Sequence, residues 1–385
     1  MMISLKRVYN FVNQRSGVLL AVGLAAVAFY NWRQWQKDRR RLEAMHPPAP
    51  LPPLTDWPAL PMISVLVAAW NEEAFIQRHI ESFLALRYPH KELILCAGGE
   101  DATYEIALRY AGPQVRVLRQ APGEGKQRAL ARAFPYSQGE IIFFTDADGE
   151  FTDDAFERTL WPAIAEDEFV VTGSSQPLPQ QLSDPFVFTQ VASQIYNHYW
   201  LPSDYGSGIL GANCAVKKQL LATTHALEKP APTGTDYVLA KTLLAAGERI
   251  RLAPTSRMPT HFPENFRDYL RQQRRWLRNV AIYGRRFGAM DEVWASVRTS
   301  LLAVAMLFMP WVGLLMAPWM VSVWIILMVQ AWLARVRYLV FGSKILGRSV
   351  QIKDIVWQPL LMIIDFLAWA SPLLDYFSPR QRWRW

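Results

Sequence analysis

Residues 140–151 read EIIFFTDADGEF, and the fold turns on them. Ile141 to Phe144 form a short apolar run of the kind that makes a fully buried strand. Thr145-Asp146-Ala147-Asp148 comes directly after and sets two carboxylates two residues apart at the strand's end. That spacing suits a hard divalent cation such as Mg2+ or Mn2+. It suits a solvated acidic turn equally, because Asp is common where strands stop, so the motif alone does not choose.

Working back from this point, ISVLVAA (63–69), ELILCA (92–97) and VRVL (115–118) read as further strands. Between them lie a helical stripe of Phe75, Ile76, Ile80, Phe83 and Leu84, a helix near Thr103 to Tyr110, and another over Lys126 to Phe134. Strand and helix in alternation predict an α/β domain with a mostly parallel sheet covered by helices on both faces. Such sheets bind ligands beyond the carboxyl ends of their strands.

The ends of the chain have a different character. Ser16 to Trp32 carries no charge and is long enough for a membrane helix of about 25 Å. The cluster Arg33, Lys37, Arg39, Arg40 and Arg41 comes after it, whereas a signal peptide carries its charge before the apolar run. Residues 1–45 are therefore expected to form an uncleaved anchor, followed by a proline-rich linker over 46–60 (Pro47, Pro48, Pro50, Pro52, Pro53). A sheet domain over 61–277, an interfacial amphipathic segment over 278–300 and a membrane region over 301–385 complete the expected organisation. Leu301 to Ala334 is too long for one untilted span and holds Pro310 and Pro318, which predicts two helices joined near Met316 to Trp319. Ile355 to Phe377, interrupted by Pro359, Asp365, Pro372 and Asp375, could span, re-enter or lie in the interface.

Composition narrows the class. A net charge of +8 could signal nucleic acid, but the basic residues sit beside apolar runs, at Arg33–Arg41, Arg335–Lys344 and Arg380–Arg384. They read as membrane-flanking charge, and no nucleic-acid partner is expected. Cys96 and Cys214 are the two cysteines, without the spacing of a disulfide framework or a thiolate zinc site. GEGKQ (123–127) lacks the first glycine and the Ser or Thr of a Walker loop. His79, His198 and His261 show no helical zinc spacing and no neighbouring nucleophile, so each is read as structural.

The remaining signal is QQRRW (272–276), in an arginine-rich amphipathic segment where Gln272, Arg275 and Trp276 share one helical face. Arg275 could clamp a phosphate while Trp276 packs beneath it. An interfacial helix of basic and aromatic residues would look the same.

Taken together, AWNEE (69–73), EDAT (100–103), GKQRAL (125–130), TDAD (145–148), GANCAV (211–216), GTDY (234–237) and QQRRW resemble, in order, the membrane-anchored family 2 glycosyltransferases. That group includes cellulose, chitin and hyaluronan synthases and ceramide glucosyltransferases. The resemblance covers roughly Pro61 to Asn279 and implies a GT-A, Rossmann-like sheet domain with flanking transmembrane helices. It implies that Asp101 contacts the nucleobase, Asp146 the nucleotide and Asp148 the metal; Lys126 could support the nucleotide or merely start a helix. Asp236 would be the catalytic base, and Gln272, Arg275 and Trp276 would line the diphosphate and acceptor end. Each acidic assignment has a plain competitor, since Asp101 and Asp236 both stand where helices start. The chain departs from the family pattern at the Trp of AWNEE, the CAGGEDAT turn, and the missing Glu before Asp236.

The resemblance leads to the expectation of an inverting transfer of sugar from a nucleotide donor, UDP-linked, to a lipid or membrane-proximal glycan acceptor, with Mg2+ or Mn2+. The enzyme would be multi-pass in the cell (inner) membrane, its catalytic domain facing the cytoplasm. A processive polysaccharide synthase is the second reading, in which a homo-oligomer could supply the channel wall that so few apolar segments cannot. A catalytically silent scaffold with a nucleotide-binding fold is the third.

Overall fold

The computed structural model describes residues 13–45, 48–199 and 203–377. The cluster Arg380 to Arg384, His46 and Pro47 of the linker, the first twelve residues of the anchor and the His198 side chain lie outside the described residues.

Helix α1 (Ser16–Glu43) leads to a sheet domain in which β1 (Ile63–Trp70), α2 (Ile76–Leu84), β2 (Lys91–Gly98), α3 (Thr103–Leu108), β3 (Val115–Arg119), α4 (Gly125–Ala133) and β4 (Ile141–Phe144) alternate as the sequence predicts. The domain continues with α5 (Asp153–Ala165), β5 (Val170–Pro177), α6 (Pro185–Tyr199), β6 (Tyr205–Gly206), β7 (Cys214–Lys217), α7 (Lys218–Thr224), α8 (Thr235–Ala245) and β8 (Ile250–Thr260). Five helices follow among the described residues: α9 (Phe266–Arg286), α10 (Met290–Leu315), α11 (Trp319–Leu346), α12 (Ile352–Val356) and α13 (Gln358–Phe377).

The eight strands form one sheet in the order β3-β2-β1-β4-β7-β5-β8-β6. β1 pairs in parallel with both β2 and β4, β2 with β3, and β5 with β8. β7 is antiparallel to both β4 and β5, so it is wedged into an otherwise parallel centre. Period-2 alternation sorts the side chains between two cores. Ile63, Val65, Val67 and Ala69 of β1 face α2 and α5, packing with Ile80, Phe83, Phe156 and Leu160. Leu66 of β1, Ile94 of β2 and Ile142 of β4 face α4 and α8, packing with Leu130, Ala133, Leu239 and Leu243. Cys96 and Cys214 are free and buried in that second core, where burial raises both thiols and pushes Cys96 up to about 11.

Among the described residues three helices, α1, α10 and α11, are long and apolar enough to cross a membrane, and α13 holds a shorter apolar stretch. The predicted join is present, with α10 ending at Leu315 and α11 starting at Trp319. Both helices extend beyond the apolar run: α10 begins at Met290, and α9 carries QQRRW on to Arg286 without a break. α1 and α11 lie side by side in the same direction. The Asn31 amide donates to Gln330 Oε1 at 2.6 Å, and further along Arg337 pairs with Asp38 at 2.8 Å. Asp365, an interruption in the last apolar run, is buried: it pairs with Arg335 of α11 and accepts from the Tyr269 hydroxyl of α9. Its charge therefore points into the protein, which is how an apolar helix tolerates a carboxylate.

Candidate active site

Strand order reverses between β1 and β4, because β2 and β3 lie to one side of β1 and β4 to the other. The loops leaving the two strands must diverge there and open a crevice. AWNEE leaves β1 at this point and TDAD leaves β4.

Lys126, at the start of α4, forms an ion pair with Asp146. The same ammonium feels Asp236 and Asp148, which together with Asp146 raise it although enclosure alone would depress it. Enclosure would likewise raise Asp146, but Lys126 and, further off, Arg275 hold it below the usual carboxylate range. Asp148 is pushed well up by enclosure and by the negative charges of Asp146 and Glu72. Asp236 is raised too, chiefly by enclosure, against the pull of Lys126 and Arg275. Lys126, Asp146, Asp148, Asp236 and Arg275, distant in sequence, thus share one electrostatic neighbourhood.

Glycines set the closeness of approach. A Cβ on Gly211, in GANCAV, would lie 3.3 Å from Asp236 Cβ and 3.4 Å from Lys126 Nζ, so this floor is flat because it has no side chain. Gly234, with φ +67°, begins α8 in the left-handed region, and a Cβ there would come within 2.8 Å of Asn279 Nδ2. Asn279 lies one turn beyond Arg275 on α9 and accepts from the Thr233 hydroxyl at 2.6 Å. The loop that presents Asp236 is therefore pinned to the helix that presents Arg275. Asp236 sits in the first turn of α8 and accepts from the Tyr237 amide at 2.9 Å through Oδ1.

Asp101 lies apart from the ion pair and organises the rim. Its Oδ1 accepts from the Thr103 amide at 3.0 Å and hydroxyl at 2.6 Å, and its Oδ2 from the Glu73 amide at 3.1 Å. Those bonds hold it below the usual carboxylate range against the opposing effect of enclosure. Gln272 and Trp276 share the Arg275 helix, but among the described residues no hydrogen bond or ion pair joins either to the cluster, and Trp276 is 39% exposed.

Two further residues border the cluster: Glu72, which the sequence reading leaves without a role, and His79, which it reads as structural. Glu72, within AWNEE, is raised to about 7 by enclosure and by Asp146 and Asp101. His79 is fully buried and Nδ1 contacts the Gly149 carbonyl at 2.7 Å; burial lowers it to about 4, which leaves a neutral ring beside TDAD. The acidic surplus of AWNEE is visible in the sequence; its proximity to TDAD depends on the β1–β4 pairing. His261 donates its amide to the Asp148 carbonyl at 3.1 Å and packs its ring against Phe75.

Whether a divalent cation fits can be judged from the oxygens. Asp148 Oδ1 is buried without a hydrogen-bond partner, an acceptor left over by the protein itself. Among the described residues no group of three or more His, Cys, Asp or Glu side chains forms a cage. One or two carboxylates completed by substrate phosphates is a usual Mg2+ arrangement, so the residues fit a cation that arrives with its ligand.

Comparison with known proteins agrees with this geometry. The pattern described as glycosyl transferase family 2 matches residues 64–185, and that described as glycosyl transferase family group 2 matches residues 142–339, more than half of the chain. The chain belongs to the family 2 glycosyltransferases. A beta-monoglucosyldiacylglycerol synthase of Trichormus variabilis is 38% identical over 104 residues, 25% of this chain and 22% of that protein. A dolichyl-phosphate beta-glucosyltransferase of Trichomonas vaginalis is 30% identical over 119 residues, 28% of this chain and 36% of that protein. The similarity thus spans about a fifth to a third of these relatives' lengths. Among solved structures, a mannosyltransferase from Pyrobaculum calidifontis in complex with GDP-Man and Mn2+ superposes with TM-score 0.49 and 17% identity, over 94% of this chain and 99% of that one.

Proposed function

We propose that the protein is a membrane-bound, inverting glycosyltransferase that moves one sugar from a nucleotide donor, UDP-linked, to a lipid hydroxyl or phosphate at the cytoplasmic face of the cell membrane. The observation that supports this reading is the ion pair of Lys126 with Asp146 beside Asp236, both Lys126 and Asp236 lying against Gly211, with Arg275 on a helix that leads into the apolar helices. Support for a lipid acceptor comes from the two relatives, whose names speak of a glucosyldiacylglycerol and a dolichyl phosphate.

In this reading Asp101 and the β1 and β2 loops receive the nucleoside, while Lys126 and Arg275 lie against the diphosphate. The acceptor oxygen attacks the anomeric carbon from the face opposite the phosphate. As the new carbon–oxygen bond forms, the bond to the β-phosphate oxygen breaks and its electron pair leaves with the diphosphate. Asp236 takes the acceptor's proton, a role its raised affinity for protons suits, because a base is most effective near the working pH. Mg2+ or Mn2+ held by Asp148, with Asp146 beside it, would supply charge neutralisation at the departing diphosphate. Gln272 and Trp276 are assigned to the acceptor mouth.

The test uses the full chain in phosphatidylcholine vesicles containing diacylglycerol or a polyprenyl phosphate, supplied with radiolabelled UDP- or GDP-sugars. Label passing into the organic phase as a single-sugar lipid supports the reading. Label in a water-soluble polymer, or no nucleoside diphosphate release with any donor and cation, contradicts it.

A further inference from the structure

A cleft of about 710 Å³ opens where α1 and α11 reach the sheet domain, and none of Lys126, Asp146, Asp148, Asp236 or Arg275 lines it. Its size is that of a ligand cavity. Trp35 and Leu42 of α1 and Phe341 of α11 supply apolar wall, and Arg257 of β8 and Lys344 of α11 supply charge.

The charges do not cancel. Asp38 is matched by Arg337 at 2.8 Å, and Arg39 by Glu43 at 2.8 Å. Arg257 and Lys344 have no ion pair among the described residues, and Arg257 Nη1 is buried without a hydrogen-bond partner. A guanidinium nitrogen withdrawn from water with nothing to bond is costly, and the deficit is removed by an anion.

Depth in the membrane narrows the choice of anion. The apolar part of α1 starts at Ser16, and Trp35 lies about 30 Å further on at roughly 1.5 Å per residue, the thickness of a hydrocarbon core. Trp35 and the cleft mouth therefore fall at headgroup level, where Trp is at home. Arg33, Lys37, Arg40 and Arg41 lie on the same stretch of helix, a basic belt of the kind that concentrates anionic lipids. A free phosphate would satisfy Arg257 and leave the aromatic and aliphatic wall unused.

We propose that this cleft binds one anionic phospholipid, its phosphate on Arg257 and Lys344, its glycerol backbone beside Leu42 and Phe341 and its acyl chains passing Trp35 into the bilayer. Such a lipid bridges α1, α11 and β8, and so fastens the membrane helices to the sheet domain. The site is independent of the sugar-transfer reading.

The test is thermal melting of the full chain in a neutral detergent with dihexanoylphosphatidylglycerol, dihexanoylphosphatidylcholine or inorganic phosphate. The expected result is a saturable rise of several degrees with the anionic lipid alone, by mass action. Arg257→Gln with Lys344→Gln should keep the lipid-free melting temperature and weaken the apparent affinity about tenfold, the loss of roughly 1.4 kcal/mol. A second measurement on the intact cleft uses phosphatidylglycerol with brominated chains, whose quenching of tryptophan emission should diminish in Trp35→Phe. An equal rise with phosphatidylcholine, an equal rise with phosphate, or quenching unchanged in Trp35→Phe overturns the proposal.

Discussion

At the strand ends, Glu72, Asp146, Asp148 and Asp236 share a crevice with Lys126 and Arg275, so carboxylates outnumber cations and one oxygen of Asp148 has no partner. At the membrane neck, Asp38 meets Arg337, and Tyr196 donates to Asp38 at 3.0 Å while accepting from Arg337 at 2.8 Å. Asp365 likewise takes both a cation and a hydroxyl, pairing with Arg335 and accepting from Tyr269. The residue types are alike, but their satisfaction differs. A fully paired buried network holds helices in register, whereas an unbalanced one keeps its proton and cation affinities available for chemistry.

The contrast can be broken first at Asp236. Asp236→Asn keeps the volume and removes the proton acceptor, and should cut transfer about 10²- to 10⁴-fold. The same change should raise the melting temperature at pH 7. The folded carboxyl is raised, so its stabilising contribution is full below the ordinary carboxylate value and lost as pH rises through the raised one. An inactive variant less stable than the wild type would contradict this.

At the neck the opposite pattern should appear. Asp38→Asn leaves the Arg337 charge buried, where both partners are 7–8% exposed, and should destabilise by about 3–5 kcal/mol in chemical denaturation. Asp38→Leu with Arg337→Leu should recover most of that loss. Activity per folded molecule should stay near wild type in both.

Smaller effects sharpen the boundary between the regions. Removing divalent cations with a chelator, or Asp148→Asn, should weaken nucleoside diphosphate binding about tenfold, roughly 1.4 kcal/mol by calorimetry. The pH–rate profile should carry an acidic limb above the ordinary Asp range, from the raised Asp236, that disappears in Asp236→Asn. Asn279→Ala unpins the Asp236 loop and should cost about 1 kcal/mol of stability while lowering kcat more than it changes KM.

Much of this architecture is legible in the sequence because it is locally encoded. β1, β2 and β4 declare themselves as apolar runs, and the α10–α11 turn by Pro318. β7 does not, since the four residues Cys214–Lys217 take their place between β4 and β5 only through antiparallel pairing at long range. The same holds within the site. TDAD and QQRRW stand out as motifs, but the approach of Glu72 to Asp146 depends on β1 lying beside β4, and the grip of Asn279 on Gly234 depends on α9 crossing α8. Asp365 reads as a flaw in an apolar helix until its partners are found on two other helices.

The central claim is that binding and proton transfer are carried by different carboxylates of one crevice. It is tested most directly by comparing wild type and Asp236→Asn, in the same vesicles, for donor affinity by calorimetry and for transfer of labelled sugar to lipid. Equal affinity with transfer cut about 10²- to 10⁴-fold is the predicted result. Normal transfer in the variant, or donor binding lost along with it, would contradict the account.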